Sequence, residues 1–216
     1  MKKIMFNNRY GLTQAVLDLL KTMTRRIISE KEWDKIRKFK EEYYEQTFDR
    51  LEDKELIKTY FDTYPERMPY QVGEVVAIAQ SYKDAKIEFI PIEESVLLGK
   101  KSEAKKWGYT KSMAGYHNKM FVCADLMPHH IRITDIKGER LQDISDDDCI
   151  AEGIICKWHA PACRNYYYVP NETINHPDKV HETPQEAYAS LIDKVSGKGV
   201  WDSNPWVLAY EFELVK

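Results

Sequence analysis

Lys21 and Thr24 stand three residues apart, and Arg25 and Arg26 follow at once. On a helix, residues three apart share a face. A threonine hydroxyl attacks an amide carbonyl when a neighbouring base takes its proton. A lysine is such a base when burial or a nearby cation lowers its pKa toward neutrality. Arg25 would supply that cation or hold an oxyanion. No acid for the leaving group is evident. The plain alternative is a lysine at a helix end, favoured there by the C-terminal dipole. Binding asks for less. Lys21, Arg25 and Arg26 would engage phosphates, arginine bidentately. Tyr82, Trp201 or Trp206 would stack on an unpaired base, a contact worth about 1–3 kcal/mol. Asn204 would read a base edge. Against this, tryptophan is largely buried on average, and both tryptophans also suit the core.

Cys156, His159 and Cys163 form C-x2-H-x3-C, with Cys149, His176 and His181 nearby. These are zinc-type ligands. The spacing matches no common finger and lacks a second close pair, so no metal or other cofactor is expected. His129 and His130 precede a strand and would point to opposite sides of it.

The elements that must position these groups follow from periodicity. KIMF fits a short strand. Leu12, Ala15, Val16, Leu19 and Leu20 make one apolar helix face. TMTRRII is rich in β-branched residues and fits a strand, with Thr22, Thr24 and Arg26 on one side and Met23, Arg25 and Ile27 on the other. Ser29 with Glu32 has the capping-box pattern, opening one or two amphipathic helices that Pro65 and Pro69 end. Their aromatic stripe is expected to be core. EVVAIAQ, IEFIPI, Lys119–Ala124 and His130–Ile136 are expected strands, and Leu97–Lys119 an irregular loop. Ser145 caps a helix over DDDCIAEG, and Gly153 suits its C-terminal end. Thr183, Pro184 and Glu186 start another. Val207–Val215 alternates, placing Leu208, Tyr210, Phe212 and Leu214 on one face. The sum is an α+β fold around a small, mostly antiparallel barrel.

Four stretches in order, FNNRYGLTQAVLDLLKTMTRRII, YQVGEVVAIAQSY, NKMFVCADLMPHHIRITDIKGERLQDISDDDCIAEGI and WDSNPWVLAYEFE, cover about half the chain. Together they resemble the ASCH domain family, a branch of the PUA-like β-barrels, in its larger phage and mobile-element form. The resemblance implies one domain over 1–216, with a helical insertion at about 29–64 and a helix and loop insertion at about 145–200. It implies a cleft beside the first helix that binds RNA or modified nucleosides. Some small members hydrolyse an acetyl amide from a cytidine base with a lysine, a threonine and a glutamate. Lys21 and Thr24 match the first two, and the third falls near Arg132. The family's Gly-Arg pair is Leu19-Leu20 here, and its Arg-Glu pair is Ala79-Gln80, so a cleft arginine and two charged cleft groups are replaced; Gln80 and Arg132 stay among the candidate binding residues. The expected function is RNA or nucleotide binding. Amide or RNA hydrolysis, and protein docking through 29–64, are the alternatives.

Composition sets the bounds. Of 216 residues, 43% are hydrophobic and 31% charged, enough for a core and unlike a disordered chain. The net charge of -3 argues against coating nucleic acid non-specifically. That charge is unevenly spread. Residues 1–28 hold six basic residues against Asp18 alone, and Glu139–Asp148 holds five acids against Arg140. The basic segment either grips a phosphate or pairs with those acids at the surface. The opening MKKIMFNNRY has no apolar stretch of a secretory signal, and no run is long enough to span a membrane. A cytoplasmic protein with free thiols is expected.

Overall fold

The computed structural model describes residues 1–87, 114–171 and 180–215. IEFIPI, apart from Ile87, and most of Leu97–Lys119 lie outside these residues, as does His176. The chain divides into two compact units. The first is Met1–Phe6, Val75–Ile131 and Val215–Lys216, and the second is Asn7–Glu74 and Arg132–Leu214.

In the first unit, β1 (Lys3–Ile4) runs parallel to β3 (Val75–Ile78), with Lys3 opposite Ala77 and Ile4 opposite Ile78. Ala77, Ala79, Tyr82, Val122, Ala124 and Met127 form its core. Lys119–Ala124, expected as a strand, instead makes two 3-10 turns, Lys119–Phe121 and Ala124–Leu126. Side chains explain the change. Asn118 accepts from the Met120 N–H at 3.0 Å and caps the first turn, and the Lys119 ammonium donates to the Phe6 carbonyl.

In the second unit, α1 (Leu12–Leu17) buries Leu12, Ala15 and Val16. It ends sooner than its apolar spacing predicts. Leu19 adopts φ 61, and the N–H groups of Leu20 and Lys21 both return to the Ala15 carbonyl, at 2.8 and 3.0 Å. That closing turn throws Leu19 and Leu20 into solvent, off the apolar face they were expected to share. β2 (Met23–Ile27) follows as a strand, so the helical premise for Lys21 and Thr24 fails. α2 (Glu30–Thr47) starts at Ser29, whose side chain accepts from the Glu32 N–H at 3.3 Å. α3 (Asp53–Thr63) buries Leu56, Ile57, Tyr60 and Phe61, and a 3-10 turn at Pro65–Arg67 follows it. The aromatic stripe, expected as core, packs only in part: Phe39 lies against Tyr60 at 5.5 Å and Trp33 stacks on Trp206 at 5.8 Å, while Tyr44 and Phe48 are exposed.

β4 (His130–Arg140) crosses the boundary between the two units. α4 (Asp146–Ala151) and α5 (Pro184–Ser196) have the predicted caps, Ser145 and Thr183, the latter with a full capping box. α6 (Val200–Ser203) leads into β7 (Trp206–Val215). β7 is buried on both sides from Trp206 to Tyr210, where one apolar face was expected. Between α4 and α5 lies an antiparallel hairpin that periodicity did not suggest, β5 (Ile155–His159) with β6 (Arg164–Tyr168).

The main sheet has the order β1-β3-β4-β7-β2 and is mostly antiparallel. The α+β class is as expected, but the described strands do not close into a barrel: β1 and β2 are its two edges. The physical reason is visible in the second unit. β2 pairs with β7 from Met23 opposite Glu211 to Ile27 opposite Val207, so Thr24, Arg26, Leu208 and Tyr210 share one face. Trp33 of α2 stacks on Trp206, which shares that face, and Asp148 and Glu152 of α4 meet Arg25 on the other, so helices cover both sides and the strands bury their apolar sides without closing.

α3 lies close enough to β4 that a Cβ on Gly138 would stand 2.6 Å from Ile57 Cγ2. Gly138→Ala is therefore expected to overpack this contact and cost about 1–3 kcal/mol, read as a lower midpoint in thermal or urea denaturation.

Candidate functional site

The basic N-terminal segment meets the acidic run inside the second unit. The closing turn of α1 delivers Lys21, and the Thr22 N–H donates to the Ala151 carbonyl at 2.8 Å, tying the start of β2 to the end of α4. Glu152 caps the C-terminus of α4. The Lys21 ammonium donates to Met23 O at 2.7 Å, Glu152 O at 2.8 Å and Glu152 Oε2 at 2.5 Å. Those three acceptors use all three ammonium protons.

Arg25 emerges from β2 into the same cluster. Its Nε donates to Glu139 Oε1 at 2.7 Å, its Nη2 pairs with Asp148 Oδ2 at 2.5 Å, and its Nη1 reaches Glu152 Oε1 at 3.3 Å. Lys137 closes the circuit, 3.0 Å from Asp148 Oδ2 and 3.6 Å from Glu139 Oε2. Three cations thus face three carboxylates. Side-chain exposure is lowest at Arg25 and Lys21, 0% and 2%, and reaches 18% at Asp148 and 40% at Lys137.

The electrostatics follow from this geometry. Burial pushes Lys21 below the ordinary lysine range, and the Glu152 carboxylate partly offsets it. Burial also opposes the Arg25 charge, but Glu152 and Glu139 outweigh it and raise the pKa. Burial alone would raise Asp148, yet the hydrogen bonds from Lys137 and Arg25 hold it below the usual carboxylate value. The Cys149 thiol, buried under α4, is pushed up to about 12 by desolvation and stays protonated at neutral pH.

The other predicted residues lie elsewhere. Thr24 points to the face opposite Arg25, beside Tyr210, with half-buried Arg26 two residues on. Arg132 is at the surface, paired with Glu213 at 3.0 Å. Asn204 accepts from the Gln142 N–H at 2.9 Å through Oδ1, while its carbonyl accepts from Arg140 at 3.2 Å. Trp206 is buried between Trp33 and the Arg140 guanidinium, the latter 4.5 Å from its ring centroid. Trp201 packs its ring edge-on against Tyr188 at 6.2 Å. In the first unit, Gln80 is buried with Oε1 at 2.8 Å from His129 Nδ1, and the buried Tyr82 hydroxyl accepts from the Cys123 N–H at 2.8 Å. The structure brings Lys21 and Arg25 together through Glu152 and sets Thr24 apart from them.

Glu139, Asp148 and Glu152 were not singled out one by one from the sequence. For Glu139 and Asp148 the signal is the charge complementarity of the two segments, which resolves into a buried network where surface pairs were the expectation; Glu152 lies beyond the acidic run and has no such signal. Cys156 and His159 fall on opposite faces of β5 by strand alternation. His159 Nδ1 accepts from the Ala162 N–H at 3.3 Å, capping the hairpin turn, and the Cys163 thiol donates to Ala160 O at 3.4 Å. Among the described residues, no group of three or more His, Cys, Asp or Glu is placed to hold a metal ion. No helix among them is long and apolar enough to cross a membrane. No family model, curated protein or solved structure matches the chain.

Two consequences are measurable. Removing one partner of a buried ion pair leaves an uncompensated charge, so Glu152→Ala is expected to cost about 3–5 kcal/mol in urea denaturation. The double change Lys21→Met with Glu152→Leu should cost clearly less, because it leaves no lone ammonium. The lowered Asp148 pKa gives a pH dependence. Its stabilisation is complete above the unfolded carboxylate value, about 3.9, and is lost as pH falls through the lower folded value. Asp148→Asn should flatten the acid limb of a stability-versus-pH curve.

Proposed function

We propose that this protein binds RNA or a nucleotide and does not hydrolyse it, and that the Lys21–Arg25 network is a structural pin. The observation that carries this reading is the saturation of Lys21. The Lys21 nitrogen is directed at three acceptors on one side of the strand, and Thr24 belongs to the other, so the amine is not placed to take the hydroxyl proton. Arg25, matched by three carboxylates, has no spare charge for an oxyanion or a phosphate. The binding half of the reading comes from the resemblance to the ASCH family, with the five-stranded sheet as the counterpart of that family's PUA-like barrel. Four free cysteines accord with a cytoplasmic setting.

A second reading, docking of a protein partner on the 29–64 helices, is favoured by Phe48, 81% exposed at the end of α2 beside Tyr44.

The deciding experiment incubates the protein with a panel of N-acylated nucleosides and short RNAs. No turnover is expected, together with saturable binding by calorimetry of at least one RNA or nucleotide. Turnover that Thr24→Ala abolishes while the fold is retained would overturn the reading.

A further inference from the structure

With Lys21 and Arg25 turned inward, a ligand must meet other groups, and the β5–β6 hairpin presents them. Residues 156–165 are all exposed, so the ribbon stands in water on both faces. A two-stranded hairpin is marginal in water unless it is packed; here Tyr167 pairs with His181 on the outer edge of β6, and the turn end beyond it is exposed. The register sets Lys157 opposite Tyr166 and His159 opposite Arg164 on one face, with Trp158 opposite Asn165 on the other. Trp158 is 63% exposed. On the basic face the Arg164 guanidinium lies 4.7 Å from the Tyr166 ring centroid, and His159 meets the same ring edge-on at 5.4 Å.

A single exposed tryptophan needs no explanation. Its charge setting does. From Gly153 to Asn171 the chain contains no Asp or Glu, although Asp and Glu number 35 of its 216 residues. Among the described residues, Asp146 acts on Tyr167 across space, and Glu182 pairs with Arg164 at 3.0 Å. Both partners are at least half exposed, and such pairs are worth about 0–1 kcal/mol, so a phosphate can take the place of Glu182.

We propose that the β5–β6 ribbon binds single-stranded nucleic acid, with an unpaired base stacked on Trp158 and phosphates taken by Lys157 and Arg164. The assignment rests on the binding role proposed above and names its surface and ligand class. Aromatic rings interleaved with cations, on a segment whose own sequence carries no carboxylate, are what a polynucleotide requires of a surface, since every base offers a flat face and every linkage a charge. A single strand fits better than a duplex. Its bases are open to stacking, and it bends around a narrow ribbon, whereas duplex DNA stays stiff over about 150 base pairs. The stacking and phosphate chemistry is shared by RNA and DNA, so both are tested.

The experiment is fluorescence anisotropy of a labelled, mixed-sequence strand of roughly ten nucleotides, as RNA and as DNA, at about 50 and about 200 mM salt. Wild type is compared with Trp158→Ala and with Lys157→Ala/Arg164→Ala, each checked for retained fold by far-UV circular dichroism. Binding that weakens with salt is expected. Trp158→Ala should weaken it about tenfold, and the double variant should also flatten the salt dependence. Ribbon-dependent binding of either polymer supports the proposal, and the two titrations say which is preferred. Folded variants that bind like wild type would overturn the ribbon and leave the binding role standing. So would binding of a free nucleotide with neither polymer bound. Equal binding of a duplex or of poly-glutamate would overturn the ligand class. No binding of strand or nucleotide would overturn both readings.

Discussion

The carboxylate of Glu152 is the point on which the second unit turns. One oxygen holds the Lys21 ammonium and the other faces Arg25, so a single side chain at the end of α4 fixes both the approach to β2 and its inward face. Glu139 and Asp148 extend the network to β4 and to the start of α4. Charges taken out of water are costly unless they are matched in number and hydrogen-bonded in detail. Here three cations meet three carboxylates, and the match leaves little freedom in how β2, β4 and α4 pack. The edge strand β2 is held by side chains on this face as well as by its backbone pairing with β7.

That constraint also shapes what the protein can do. The side chains that chemical reasoning would assign to catalysis or phosphate binding, Lys21 and Arg25, are committed to the interior. Thr24, the hydroxyl expected to act with them, is separated from them by the alternation of the strand. A cluster of this kind specifies one arrangement of its elements. It has no open coordination position and no unpaired acid. Binding, where it occurs, falls to residues that the interior does not consume, and β5–β6 concentrates cations and rings in a segment that packing leaves exposed.

The sequence carried more of the fold than of the site. Caps at Ser29, Ser145 and Thr183 are local signals, since each oxygen bonds an N–H two or three residues away. The strand at Met23–Ile27 was legible for the same reason, in its β-branched composition. The end of α1 was not. Leu19 and Leu20 continue the apolar spacing, but the left-handed residue at Leu19 breaks the helix, so periodicity overran the real boundary. The hairpin was less legible, because its markers, the aromatic run in RNYYY and the Pro-containing turn, lie among Cys156, His159 and Cys163, residues that also have the types of a ligand set.

By itself the sequence determined the class, a mixed fold with charged helices inserted between short strands, and it placed a basic segment and an acidic run far apart along the chain. Apolar period, caps and charge counts are set by neighbours within a few residues, and they survive without knowledge of the fold. Tertiary structure alone decided that the two charged segments meet, that they do so under cover, and that the sheet stays open between layers of helix in the second unit. Those outcomes depend on contacts more than a hundred residues apart, such as Lys21 with Glu152, whose pairing no local pattern encodes. Burial then decided the role of each residue: the same lysine that would grip a phosphate in water becomes, with three acceptors around it, a pin in the core.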